Sequence, residues 1–158
     1  MGKVNLDQMQ LVDQKERQFA GSSRRYRYDQ RGQIGEQWLA FNEWLAVNLD
    51  CRVPAYGVVY DADAIGFDYL AAIELEPDVM TPAGQTRLVI PACRYAVFTQ
   101  ELPVLQLGAV MDAIYADWLP KSGYQVAQGA ANIEQYPLSF DPQTGMGGFS
   151  IWVPLSAG

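Results

Sequence analysis

The 158-residue chain contains no histidine. That removes every nucleophile–imidazole pair and every His-ligated metal site from consideration. Cysteine is almost as scarce. Cys51 and Cys93 lie far apart in sequence. Two thiols do not complete a structural zinc site, and they read as buried free thiols of a cytoplasmic protein rather than as a disulfide. Basic residues are outnumbered, 11 Lys and Arg against 18 Asp and Glu, for a net charge of -7. Neutralising phosphates requires a basic surface, so the chain is not read as a nucleic-acid binder. Arg24, Arg25 and Arg27 read as a solvated strand face. No apolar run approaches the roughly 20 residues of a membrane span, and residues 1–13 lack the apolar stretch of a signal peptide. Gly145-Met146-Gly147-Gly148 has neither a lysine nor a following helix, so it is a loop and not a phosphate cradle. Asp61 and Asp63 read as turn aspartates, since nothing extends them into a calcium loop. No metal or cofactor is expected.

Aromatic residues, by contrast, are plentiful: four Trp, nine Tyr and six Phe in a chain that is 49% hydrophobic. They also fall in a pattern that occurs twice. Arg25-Tyr26 opens one half and Arg94-Tyr95 the other. Each is followed by a helical stretch ending in an aromatic, two residues and Trp-Leu: Phe41 to Trp44-Leu45, then Tyr115 to Trp118-Leu119. The last strand of each half is entered through Gly66-Phe67 or Gly148-Phe149.

Periodicity fills in the elements. Residues 16–28 suit a long strand, and 33–49 a helix whose apolar stripe is Ile34, Trp38, Phe41 and Leu45. Residues 55–60 and 67–76 make a hairpin, with Glu74 and Glu76 on a solvated strand face. In the second half, 86–100 reads as a strand broken by Pro91, 102–119 as a helix ended by Pro120 and Gly123, and 133–138 and 148–155 as a hairpin. The expected fold is α+β: duplicated strand-helix-strand-strand modules joined edge to edge into one antiparallel sheet. Two helices lie on one face with a ligand groove between them. The first copy covers about residues 15–77 and the second about 86–155, in a single domain of residues 15–158 after a loose lead-in at 1–14.

One acid stands out. Glu134 lies on a strand with Tyr136 two residues on, so both side chains point the same way. If they face the helices, a carboxylate sits among aromatics, is costly to desolvate, and is suited to a lipophilic cation. Each good ring would add roughly 0.5–2 kcal/mol of cation–π attraction. If they face outward, Glu134 is an ordinary surface residue. The aromatics carry the same ambiguity. Trp38, Phe41, Trp44, Tyr115 and Trp118 are at helical spacing and suit either core or ligand wall. Tyr56, Tyr60 and Tyr95 on strands each need a hydrogen-bond partner if buried.

The stretch Ile90-Pro91-Ala92-Cys93-Arg94-Tyr95-Ala96-Val97-Phe98 resembles the strand that opens the second copy in the GyrI-like small-molecule-binding domains, which are also the effector-binding domains of AraC-type and multidrug-responsive regulators. Trp118-Leu119-Pro120-Lys121-Ser122-Gly123-Tyr124, Glu134-Gln135-Tyr136 and Ile151-Trp152-Val153-Pro154 are similar to later motifs of that family, and Tyr56-Gly57-Val58 with Asp68 to Ala72 to its first hairpin. Cys93 replaces its usual Gly, and Ser150 stands where it often has Glu. The resemblance implies a groove between the copies that takes hydrophobic cationic small molecules, with Glu134 as the carried-over acid. The candidate ligand-binding set is then Glu134, Tyr136, Trp38, Phe41, Tyr60, Tyr95, Tyr115 and Trp118. Because only residues 1–14 precede the first strand, a stand-alone binder is expected rather than a regulator. The resemblance also admits two alternatives, a small-molecule hydrolase using the same acid and a protein-binding inhibitor of DNA gyrase.

Overall fold

The computed structural model describes residues 3–156. Its elements are β1 (Gln10–Gln14), β2 (Arg17–Arg27), α1 (Ile34–Asn48), β3 (Ala55–Tyr60), β4 (Gly66–Leu75), β5 (Thr86–Ile90), β6 (Cys93–Gln100), α2 (Leu107–Ala113), β7 (Asn132–Tyr136) and β8 (Phe149–Leu155). A π turn (Ile114–Trp118) and a last helical turn (Leu119–Ser122) extend α2. The expected strand-helix-strand-strand repeat is present, each copy with one extra short strand in front.

The eight strands form one sheet in the order β1-β6-β8-β7-β3-β4-β2-β5, antiparallel at every step. Read from either end the order is the same once the copies are exchanged, so a pseudo-two-fold axis passes between β3 and β7. The extra strands are traded. β1, from the first copy, pairs with β6 of the second, and β5, from the second, pairs with β2 of the first. β1 stands at one end of the order and β2 next to the other end, yet only Lys15 and Glu16 separate them. Two residues span too little for an open sheet, so the sheet curls until its ends meet.

Side chains from all eight strands converge inside that curl, among them Phe19, Val58, Leu70, Ile90, Tyr95 and Ile133. This is how small barrels fill their interiors. The outer face carries two clusters. One lies under α1, around Tyr26, Phe41, Phe67 and Tyr69; the other lies under α2, around Phe98, Val110, Ile114 and Ile151. Within α1 the buried positions are Gln37 and Phe41. Gln37 is fully enclosed. Its amide accepts from the Tyr26 hydroxyl at 2.7 Å and donates to the carbonyls of Ser22 (2.6 Å) and Tyr69 (3.1 Å), so it bolts the helix to β2 and β4.

Several expectations are corrected. Part of the stretch read as a loose lead-in is β1, an edge strand whose alternation is too short to register in sequence. The strand expected over 86–100 is two strands with different neighbours, because Pro91 cannot donate to a ladder and the chain turns there from one end of the sheet to the other. Pro120 does not end the second helix. It follows the π turn, where the ordinary i→i−4 register has already been interrupted, and the helix stops at Gly123, the other expected terminator, in the left-handed conformation (φ 79°). Both thiols are free, but Cys51 is exposed rather than buried. Glu74 is exposed, as expected, and it also forms a two-point ion pair with the buried Arg17, Nε to Oε2 at 2.9 Å and Nη2 to Oε1 at 3.1 Å. The Arg17 guanidinium lies 5.0 Å from the ring centroids of Phe19 and Tyr56 and 5.4 Å from that of Trp152.

That guanidinium depends on Glu74 for its counter-charge. Glu74→Gln is therefore expected to lower unfolding free energy by about 2 kcal/mol, measured by urea denaturation. A change within about 0.5 kcal/mol would mean that the rings alone suffice to hold Arg17.

Candidate functional site

The middle pair of the five-residue β3–β7 ladder is Gly57 opposite Glu134, which puts both residues on the pseudo-two-fold axis. Ile133 joins the inner core, so strand alternation turns Glu134 and Tyr136 toward the helices. Glu134 Oε1 accepts two hydrogen bonds, from the Tyr69 hydroxyl at 2.8 Å and from the Tyr136 hydroxyl at 2.7 Å. The Trp38 indole donates to the Tyr69 hydroxyl at 2.8 Å, so three aromatic donors act in relay on one carboxylate oxygen. No hydrogen bond reaches Oε2 from the described residues.

Burial raises the Glu134 pKa above the ordinary carboxylate value, and the two phenols oppose that shift without cancelling it. Tyr69 and Tyr136 are each pushed well above the usual phenol range, first by burial and then by the adjacent carboxylate. Both phenols therefore stay protonated at neutral pH and act as donors. Trp38 closes the cluster, edge-on to Tyr136 with ring centroids 5.4 Å apart.

The carboxylate lines a cavity of about 1630 Å³ between the two helices. α1 contributes Trp38 and Leu45, the second helical run contributes Met111 and Tyr115, and the sheet supplies Tyr69 and Tyr136. Tyr115 lies in the π turn, and its hydroxyl donates to Asn132 Oδ1 at 3.0 Å. Asn132 precedes Glu134 by two residues and lines the same cavity. Exposed Asp50, Arg52 and Asp112 lie at the rim. Among the described residues no group of three or more His, Cys, Asp or Glu could hold a metal.

Of the eight residues singled out in the sequence, Glu134, Tyr136, Trp38 and Tyr115 come together in this cavity. The other four lie elsewhere. Tyr95 is sealed in the inner core, and Tyr60 packs against that core with its hydroxyl 2.6 Å from Ser23 Oγ. Strand parity puts both on the opposite face of the sheet from the groove. Phe41 and Trp118 are wedged between their helices and the sheet, where Trp118 meets Phe98 at 5.0 Å. Sequence reasoning missed Tyr69 and Gly57. Tyr69 shares a strand face with Phe67 and Ala71, but only the β3–β4 and β3–β7 pairings bring its hydroxyl to Glu134.

Gly57 is required by that convergence. A Cβ there would overlap the Tyr69 hydroxyl and stand 2.6 Å from Glu134 Oε1. The duplication thus keeps one carboxylate on its axis and a bare backbone in the matching place.

The sequence matches the family described as the GyrI-like small molecule binding domain over residues 7–156, and the chain belongs to that family. It is 30% identical over 131 residues to the transcriptional regulator BrlR of Pseudomonas aeruginosa, covering 80% of this chain and 47% of that protein. The chain thus spans about half the length of that curated relative. Among solved structures it is similar in fold to SAV2435 bound to tetraphenylphosphonium, with a TM-score of 0.76 at 15% identity, covering 95% of this chain and 94% of that one. It is also similar to the integron cassette protein VCH_CASS2 from the mobile metagenome of Vibrio cholerae, with a TM-score of 0.64 at 16% identity, covering 94% and 95%.

Gly57→Ala is expected to push the Tyr69 ring off Glu134, cost about 1–3 kcal/mol of stability, and shift Trp38 fluorescence as its indole loses its acceptor. An unchanged emission spectrum and unfolding midpoint would contradict the close packing on the axis.

Proposed function

We propose that this GyrI-like domain binds hydrophobic cations in the groove between its two helices, with Glu134 as counter-ion. The observation that carries this reading is a part-buried carboxylate with one oxygen fixed by two phenols and the other free of donors from the described residues, at the floor of an aromatic cavity. Holding Oε1 on Tyr69 and Tyr136 fixes the carboxylate before a ligand arrives, which lowers the ordering cost of binding. The desolvation that raises the Glu134 pKa is relieved when a cation approaches Oε2. Trp38 and Tyr115 supply ring surface for a ligand whose charge is shielded by apolar groups. A cavity of about 1630 Å³ exceeds the usual range for drug-sized ligands, so bulky cations fit. That SAV2435 is bound to tetraphenylphosphonium supports the same choice here.

Charge selectivity is the first test. Glu134→Gln keeps an acceptor for both phenols and removes the charge. Cationic dyes such as rhodamine 6G are expected to lose at least about tenfold in affinity, or about 1.4 kcal/mol, by Trp fluorescence quenching. Neutral analogues should change little, and the unfolding midpoint should hold or rise because a desolvated charge has been removed. Comparable losses for cationic and neutral dyes would take the carboxylate out of the account. Incubation overnight should return the dye unchanged; its steady conversion, absent in Glu134→Gln, would favour hydrolysis instead.

The pH dependence has a definite sign. A raised carboxylate pKa means that the empty groove holds its proton more tightly than an exposed acid does, and a bound cation expels that proton. Affinity for a permanent cation should be flat above the Glu134 pKa and fall about tenfold per pH unit below it. In Glu134→Gln the profile should be flat throughout. Isothermal titration in two buffers of different ionisation enthalpy would reveal the released proton.

A further inference from the structure

We infer that Asn132, held in place by Tyr115, is a second recognition point in the groove, and that it selects hydrophobic cations carrying a hydrogen-bond acceptor, such as a ketone oxygen, about 7 Å from the charge. This role rests on the cation-binding role of Glu134 and adds what else the ligand must carry. Asn132 and Glu134 are two residues apart on β7, so their side chains rise from the same face, one strand repeat apart. Both line the cavity and both are half-buried. Asn132 Oδ1 accepts from the Tyr115 hydroxyl at 3.0 Å. Its Nδ2 donates to no described residue, yet it keeps open surface. The pattern is that of Glu134 over again: a phenol holds one terminal atom, and the other is left open to the groove.

The duplication shows that this pair is an addition. The axis through Gly57 and Glu134 carries Asn132 onto Ala55, which lines the same groove with a methyl group. The helices differ to match. Ile34, Trp38 and Asn42 of α1 answer to Leu107, Met111 and Tyr115 of the second run at one constant offset, and all six line the groove. Trp44 and Trp118 are one residue further apart, so the π turn absorbs an inserted residue. By sequence motif Tyr115 matches Phe41, which is buried against the sheet. By place it stands where α1 has Asn42, while Ile114 fills the buried position. The π turn thus delivers a hydroxyl to the Asn132 amide, and the first copy offers no such pair.

The chemistry of the pair selects the ligand. An amide nitrogen donates and does not accept. With Oδ1 tied to Tyr115, the amide cannot turn its oxygen to a ligand without losing that bond. A bulky ligand that covers Nδ2 without offering an acceptor leaves a donor unpaired, which is costly, whereas a carbonyl oxygen restores the bond. The positive end of the amide dipole also repels a cation. The charge therefore goes to Glu134 and the acceptor to Asn132, which fixes which way round the ligand lies.

The test compares (para-acetylphenyl)triphenylphosphonium with its para-isopropenyl analogue by isothermal titration. The two have the same charge and nearly the same shape, and only the first has a carbonyl oxygen, at about 7 Å from phosphorus. The acetyl ligand is expected to bind the unaltered chain about fivefold more tightly, or about 1 kcal/mol. In Asn132→Ala, which installs the residue of the other copy, the two ligands should bind alike. Tyr115→Phe leaves Asn132 in place but frees its amide to turn, so the preference should shrink; this variant keeps the test alive should Asn132→Ala fold poorly. Glu134→Gln should weaken both ligands and leave their ratio standing. Equal binding of the two ligands by the unaltered chain, a preference that survives in folded Asn132→Ala, or one that Tyr115→Phe leaves untouched would each overturn the role of Asn132 alone. Failure of both ligands to bind the unaltered chain would overturn the cation groove and this role with it.

Discussion

A carboxylate that shares one oxygen between two phenols sets the terms for the rest of this molecule. Burying Glu134 is unfavourable, and the hydrogen bonds from Tyr69 and Tyr136 make it tolerable without neutralising it. Three segments must meet for this to happen: β4 for Tyr69, β7 for Glu134 and Tyr136, and β3 between them with a residue that occupies no space. The helices are placed to the same end. Gln37 fixes α1 against the Tyr69 carbonyl, and Trp38, one residue on, reaches the Tyr69 hydroxyl. A change in any of these would be felt at the carboxylate through the strand register rather than through direct contact.

The pseudo-two-fold symmetry accounts for what the site contains. On an axis the two copies meet face to face, and two equal side chains would compete for one position. Here Glu134 takes it and Gly57 yields it. Asymmetry recurs in the helices. α1 runs unbroken, whereas the second helix contains the π turn that carries Tyr115. Such turns are frequent at functional sites. The groove is therefore built from unlike halves even though the scaffold around it is regular.

Much of the fold was legible because the helix-strand-strand order repeats and the helices have a clear apolar stripe. The Arg-Tyr pairs that marked the repeat are not equivalent, however: Tyr26 lies near the end of β2 on the outer face and Tyr95 near the start of β6 in the inner core. Glu134 with Tyr136 was legible because two-residue alternation is local. The pairing of β1 with β6, and of β5 with β2, was not, since register is decided by partners far away in sequence and both strands are only five residues long. The same gap explains Tyr60 and Tyr95. Each lies on a strand, but which face a strand turns to the helices depends on neighbours that the local pattern does not name. Tyr69 was hidden for that reason too, and Arg17 because a buried cation ringed by Phe19, Tyr56 and Trp152 has no short motif.

The traded edge strands have a consequence for how the chain reaches this state. Neither copy holds all the strands of its own edge, so neither can complete its sheet before the other has been made. Closure waits on pairings between Gln10–Gln14 and Cys93–Val97, far along the chain, which is a large entropic step for a chain of this size. The molecule should thus fold as one cooperative unit with no stable half. A lone copy could close such a sheet only by borrowing a strand from a twin, so the geometry is that of a domain-swapped dimer whose partners have been tied into a single chain.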